Sequence, residues 1–494
     1  MKFKLLLILQ CVLLLSACSS LTQQPSKYPD KESQSCADFF TNLEQTISKA
    51  GVIDSEAARI EAYPYLRVDR FLSDFRNEQM DAASFEEWIG LMQRLAEEGW
   101  QVELSNLPGI SRRAFSESTD QNMSLKDTIH VCGNTLRAID LDEEHERQHL
   151  KNVAIVPDEY KTWQRVLGLY PLTALAFRSG IDNWHEETNK VYAQPLETLT
   201  VHGELLRYIP PSNIALLSMQ EVSQIIKASS QNTLNIPEPS EDNIQKLFQS
   251  FAPIFEIDTL TDDDRIGTVE LNNDITAEVI TDSANVYQHV SYTRIAGQIL
   301  LQLNYSIWFP ARPKTSSFDM LGGDLDGITW RVTLSPGGEP LLFDSIHNCG
   351  CYHLFFPTQH IKTLPQTSSI DEPAFVPQTL SIAASDKPVI RITHDNHYIE
   401  RVYFKNNVAS NSIPYQFTDS KALRSLELNN GERRSLFGED GIIQSSQRGE
   451  RYLFWPMGIP NPGAMRQWGH HATAFVGRRH FDDARLFENY FELQ

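Results

Sequence analysis

After its first fifteen residues the sequence has no apolar run of the roughly 20 residues that a bilayer-crossing helix needs. That excludes a membrane-spanning helix in the body of the chain. Positive charge is scarce: 43 lysines and arginines stand against 64 aspartates and glutamates, for a formal net charge of -21. So acidic a surface repels phosphate backbones and anionic membrane surfaces, which argues against nucleic acid as a partner. Cysteine is sparse, and no internal repeat is present. What is there suffices for a real core: hydrophobic residues make up 41% of 494, a length that fits two to three domains.

The N-terminus opens Met1-Lys2-Phe3-Lys4 and runs into Leu5 to Leu15, broken only by Gln10. A basic start, a short apolar stretch and small residues before a cleavage point make a secretory signal, residues 1–17. Leu15-Ser16-Ala17-Cys18 resembles the lipobox of bacterial lipoproteins. The resemblance covers the first two dozen residues. It implies that Cys18 receives a diacylglyceryl thioether, becomes the acylated N-terminus and anchors the chain in a membrane through its fatty acids. In that family an aspartate after the cysteine favours inner-membrane retention. Ser19 stands there instead, which points to the outer membrane, facing the periplasm. Residues 18–35 are polar and proline-containing, and are expected to be a flexible tether.

Four cysteines remain after the signal and the anchor: Cys36, Cys132, Cys349 and Cys351. In an oxidising compartment they allow three pairings. Cys36–Cys132 is the pairing that crosses no domain boundary. It would close a loop of roughly 100 residues, worth up to about 4–5 kcal/mol.

The patterning predicts an α+β chain. Residues 36–230 read as a mainly helical domain, with apolar spacing near 3.6 at Phe39, Phe40, Leu43 and Ile47 and again at Phe85, Trp88, Leu91, Met92 and Leu95. Pro171 should split the apolar stretch from Tyr160 to Trp184 into two helices. Residues 231–244 carry Pro237 and Pro239 and read as a linker. Residues 245–494 alternate instead, with strands expected at 298–309, 329–334, 340–343, 352–356, 389–393, 397–404, 451–455 and 472–476, and so predict a mainly antiparallel, sandwich-like β domain.

The most unusual local sequence is His347-Asn348-Cys349-Gly350-Cys351-Tyr352-His353. In an extended chain all four chemically active side chains share one face, and Gly350 can supply a bend. Three readings follow. The first is structural, a Cys349–Cys351 disulfide or two buried thiols with hydrogen-bonded histidines. The second is a zinc or copper site using His347, Cys349, Cys351 and His353. The third is a catalytic thiol. Gly350-Cys351-Tyr352-His353-Leu354 resembles the nucleophile segment of L,D-transpeptidases, although Cys349 stands where those enzymes have histidine and His353 where they usually have arginine. The resemblance implies attack by Cys351, with His353 or His347 lowering its pKa.

His145-Glu146-Arg147-Gln148-His149 matches the H-E-x-x-H of the zincin metallopeptidases. On a helix His145 and His149 stand one turn apart and can hold zinc, with Glu146 as general base and Glu186 or Glu187 as a third ligand. The flanks, Asp142-Glu143-Glu144 and Lys151-Asn152, read as a solvated face. Asp324-Leu325-Asp326-Gly327 reads as a turn with partial calcium-loop spacing, and His470, His471 and His480 as histidines at a strand end.

Two function classes follow from these readings. One is a lipid-anchored binding or scaffolding protein that engages an envelope protein or glycan. The other is an envelope hydrolase or transferase working through the Cys/His segment or a metal.

Overall fold

The computed structural model describes residues 27–118, 123–211, 216–365, 370–382, 387–404 and 412–494. The signal, Cys18 and the tether up to residue 26 lie outside the described residues. The expected tether is cut short at its far end: a helix already begins at Lys31, capped by Asp30, whose side chain accepts the Ser33 N–H at 2.8 Å.

The first unit is built from amphipathic helices around a small hairpin. Helix Lys31–Ala50 buries Cys36, Phe39, Phe40, Leu43 and Ile47, its period-3.6 stripe, and stops where Gly51 turns left-handed at φ 63°. Helix Ala82–Asn106 starts at the Asp81 cap and buries Trp88, Met92, Ala96 and Trp100. Helix Leu125–Asp140 completes the bundle, and Cys132 on it is bonded to Cys36 on the first helix, 96 residues away. The hairpin Ala58–Ile60 and Tyr63–Val68 adds Tyr63, Tyr65, Leu66 and Val68 to the same core. Losing a wholly buried side chain such as Leu43 to alanine costs about 2–5 kcal/mol.

Pro171 divides the next stretch as its chemistry requires. Helix Thr162–Leu167 ends, Leu169 takes φ 51°, and helix Tyr170–Tyr192 begins with the proline in its first turn.

The β unit is a sandwich. One sheet of six strands runs in the order Leu354–Pro357, Pro340–His347, Gly323–Leu334, Gln298–Arg312, Asn285–Ile295, Gln416–Asp419, antiparallel except for the last pair. A second sheet of five runs Ile399–Phe404, Pro388–Ile392, Ile254–Thr259, Glu204–Ile209, Ser412–Pro414, with two parallel pairings. Leu301, Leu303, Tyr305, Ile307 and Phe309 alternate along one face of the longest strand and meet Phe255, Ile257, Ile390 and Ile392 of the other sheet in one core. Helices Met219–Ser229 and Glu241–Phe251 close that core through Val222, Ile226, Leu247 and Phe248.

Three expectations need correction. Strand Glu204–Ile209 and helix Met219–Ser229 belong to the sandwich, so the helical unit does not extend to residue 230; Glu204-Leu-Leu-Arg-Tyr-Ile was too short a run to show its period. The 231–244 segment does not hang free, because Leu234 and Ile236 are buried in the helical core. Arg451–Phe454 is a helical turn continued by a 3-10 turn at Trp455–Met457, and 472–476 makes only an isolated bridge between Ala472 and His480. An aromatic run ending in proline reads equally as strand or turn until its neighbours are known.

Candidate ligand cleft between the helical unit and the sandwich

The helical unit docks on strand Asn285–Ile295. The Tyr292 ring lies 5.1 Å from that of Phe71, and Arg294 reaches Asp74 at 3.1 Å while covering the Phe75 ring at 4.0 Å. Between the two units lies a cavity of about 410 Å³. Its walls include Glu56 and Asp69 from the helical side, His289 and Tyr292 from the strand, and Lys421 and Trp468 from the C-terminal segments.

The cleft is held open by a buried ion network. Arg67 binds Glu103 at 2.8 Å and stands 3.6 Å from Asp54. Arg424, on the 3-10 turn Ser420–Arg424, binds Asp54 at 2.6 Å, Glu56 at 3.1 Å and also Glu98, which Lys421 holds at 2.5 Å. Gln467 donates to Asp54 at 3.1 Å. Burial pushes the Asp54 carboxyl up, but the charge and hydrogen bonds of Arg424, with Arg67 behind them, hold it below its ordinary value. Such a network fixes the relative position of the two units more than it adds net stability.

The groups facing the cavity are tuned away from full charge. Burial pushes Glu56 up to about 7, against the pull of Arg424. Burial likewise pushes Asp69 up to about 6, although its carboxylate caps a helix by accepting the Leu72 N–H at 2.7 Å. His289 is pushed down to about 3 by burial and then by Lys421 and Arg424. It lies 4.2 Å from the Trp468 ring and meets Ser420 Oγ at 3.3 Å. The cleft therefore combines aromatic faces, a neutral imidazole, partly protonated carboxyls and fixed cations. This mixture gives a polar, ring-bearing ligand both stacking surface and hydrogen-bond partners. Sequence reasoning did not find these residues. They come from five distant segments, and only the Trp468-Gly469-His470-His471 cluster is locally conspicuous.

The Cys/His segment is a tight turn after strand Pro340–His347. Gly350 at φ 92° and Tyr352 at φ 57° fold the chain back, so that the His347 N–H donates to the Cys351 carbonyl at 3.0 Å. The glycine bend is present, but it disperses the side chains. His347 turns to Asp326 at 3.5 Å, whereas His353 turns to Asp344 at 2.9 Å and Thr473 at 3.2 Å. Cys349 packs into an apolar cluster with Trp308, Leu325 and Met465. Both cysteines are free thiols, and the Cys351 N–H points at Cys349 Sγ at 3.4 Å. Among the described residues these four side chains do not form a metal-holding group.

The nucleophile reading fares no better. The hydrogen bond to Cys349 and then burial push the Cys351 thiol well above its ordinary value, and a thiol held protonated is a poor nucleophile. The cavity beside it is about 30 Å³, room for roughly one water. Burial pushes His353 down to about 3, so it is a neutral structural histidine. Asp326 is not in a turn: it lies in strand Gly323–Leu334, wholly buried between His397 at 2.9 Å, His347 and Arg448.

The H-E-x-x-H motif lies on helix Glu144–Val153, whose only buried residue is Leu150. His145 is 75% exposed and His149 is exposed. Glu146 accepts from Tyr63 at 3.4 Å, and Glu186 is paired with Lys190 at 2.7 Å. Among the described residues no third ligand completes this pair. His470 is bound to Glu159 at 2.9 Å and His480 lies beside Asp158 and Asp483, so the three C-terminal histidines serve separate pairs or packing. Set against known protein families, curated proteins and solved structures, the chain matches none.

Proposed function

We propose that this chain is a lipid-anchored envelope protein of the binding class, tethered through Cys18 and taking a glycan-like ligand in the cleft between its helical unit and its sandwich. The cleft carries the reading. It has a volume suited to a small saccharide unit, with Trp468 and Tyr292 as stacking faces and ionic groups already fixed in place. The test is calorimetric titration with soluble envelope oligosaccharides. Binding that Trp468→Ala weakens at least tenfold supports the reading, and a full panel with no binding overturns it.

A surface feature supports the membrane side of the proposal. Trp163, Val166, Leu167, Leu169, Leu172 and Leu175 are exposed, next to exposed Tyr452 and Leu453. The two helices, with Leu169 in the turn between them, carry the first six and pack on Trp455–Met457, and Phe177 and Phe454 lie 5.3 Å apart, so the face is continuous. In this acidic chain no aspartate or glutamate occurs from Tyr160 to Ile181 or from Arg451 to Phe481. Arg178 and Arg478 of these segments are paired with Asp182 and Asp158, so the match to a bilayer surface rests on the apolar area. Replacing Leu167, Leu172 and Leu175 by serine in Cys18→Ala protein should abolish residual binding to lipid vesicles; unchanged binding contradicts that placement.

A second reading, hydrolysis in the same cleft, rests on placement: Glu56 lines the cavity, and burial there raises its carboxyl toward the range a general acid needs. Turnover of a bound oligosaccharide that Glu56→Gln abolishes would select this reading over simple binding.

A further inference from the structure

Three segments far apart in sequence meet at one corner of the five-stranded sheet. Strands Glu204–Ile209 and Ile254–Thr259 pair antiparallel with Glu204 opposite Thr259, so His202 and Gly203 lie against the end of the second strand. Strand Pro388–Ile392 runs parallel to Ile254–Thr259, with Ile392 opposite Ile257, and its exit delivers His394 to the same corner. Gly203 makes the close approach possible: a Cβ there would stand 1.9 Å from the Thr259 carbonyl oxygen.

At this corner Asp258 is buried, and its two oxygens accept the His202 and Gly203 backbone N–H groups, each at 2.8 Å. These bonds fix the buried carboxylate in place and leave it lone pairs for another partner. His202 Nδ1 stands 3.4 Å from Asp258 Oδ2. The His202 and His394 rings lie face to face, centroids 4.3 Å apart and planes within 8°. Asp395 approaches His394 Nε2 at 3.6 Å, a placement that can orient the ring from behind. One ligand atom from each of His202, Asp258 and His394 lies within 4.8 Å of the others.

We infer that His202, Asp258 and His394 bind a divalent transition metal, with zinc as the best match. Zinc takes nitrogen and oxygen ligands at about 2.0–2.1 Å in a tetrahedron, whose neighbouring corners are then ~3.4 Å apart. That is the spacing His202 Nδ1 and Asp258 Oδ2 already have, and binding requires the two rings to turn out of their parallel stack until both in-plane lone pairs meet at one point. Two imidazoles and a carboxylate leave the fourth corner to water. His202 is half exposed, so the open side faces solvent. The site shares no residue with the His145/His149 motif or with the Cys349/Cys351 turn.

The experiment is titration of the purified full chain with zinc chloride, read by calorimetry and by the thermal midpoint. One zinc per chain is expected, with a midpoint raised by the metal. His202→Ala and His394→Ala should each weaken binding at least tenfold and remove the midpoint rise, while circular dichroism without metal stays unchanged. His145→Ala should bind as the parent does. Absence of zinc binding by the parent overturns the inference. So does binding that survives both the His202→Ala and His394→Ala variants, or that His145→Ala removes. If either alanine variant disturbs the fold, His202→Phe or His394→Phe, which keeps a ring in the stack but offers no ligand atom, replaces it in the comparison.

Discussion

Arg424 crosses from the sandwich to the helical unit and meets Asp54 at 2.6 Å, with both side chains buried. The pair joins residues 370 positions apart, with Arg424 lining the cleft and Asp54 behind it. Removing one partner strands the other charge in a dry place. Arg424→Ala should therefore destabilise the chain by about 3–5 kcal/mol. Because the pair bridges two units, the loss should appear as separation of one calorimetric transition into two. A single unshifted transition would show that the network does not couple the units.

Glu56 gives the cleft a pH signature. Its folded value, about 7, lies above its ordinary 4.5, so between those limits the folded chain holds a proton that the unfolded chain has released. The group's contribution is most favourable below pH 4.5 and declines as pH rises to 7, by roughly 3 kcal/mol in all. Buried histidines such as His289, pushed down to about 3, run the other way, gaining stability as pH rises toward 6.5. The total curve mixes both, so the comparison is between variants. The thermal midpoint of Glu56→Gln minus that of the parent should climb from pH 4.5 to 7 and level off beyond. A difference independent of pH would mean that Glu56 is not held in its protonated form.

The Cys36–Cys132 bond ties helix Lys31–Ala50 to helix Leu125–Asp140 across 96 residues. Loop entropy assigns it up to about 4–5 kcal/mol. Paired serine substitution should lower the urea midpoint, and reductant should lower the parent's midpoint but not the variant's. Non-reducing peptide mapping should return this link.

Cys349 is buried and Cys351, partly buried, hydrogen-bonds to it with its pKa pushed up. Thiol reagent added to native chain at pH 8 should react slowly with both, and quickly only after denaturant. Fast native labelling of Cys351 would restore it as a nucleophile.

How much of this was legible in the sequence depends on how local the cause is. Phe39, Leu43 and Ile47 with Gly51 spell a helix and its end within twenty residues, and the structure has that helix. The alternation from Gln298 likewise produces the longest strand, Gln298–Arg312. The Cys/His segment failed because period-two reasoning assumes extended backbone, while Gly350 and Tyr352 both sit at positive φ, and His347 and His353 turn to different carboxylates while the two cysteines stay together. The cleft could not be read at all. Glu56, His289, Arg424 and Trp468 owe their proximity to how strand Asn285–Ile295 meets the helical unit, which no local pattern encodes.

The central claim is that the cleft binds a ligand against Trp468. The most direct measurement is the intrinsic fluorescence of the purified chain titrated with envelope oligosaccharides, in parallel with Trp468→Phe. The account predicts a saturable change in the parent, lost in the variant, with an affinity that calorimetry reproduces and that Trp468→Ala weakens at least tenfold. A titration that leaves the parent's fluorescence and heat unchanged, or binding untouched by Trp468→Ala, would contradict it.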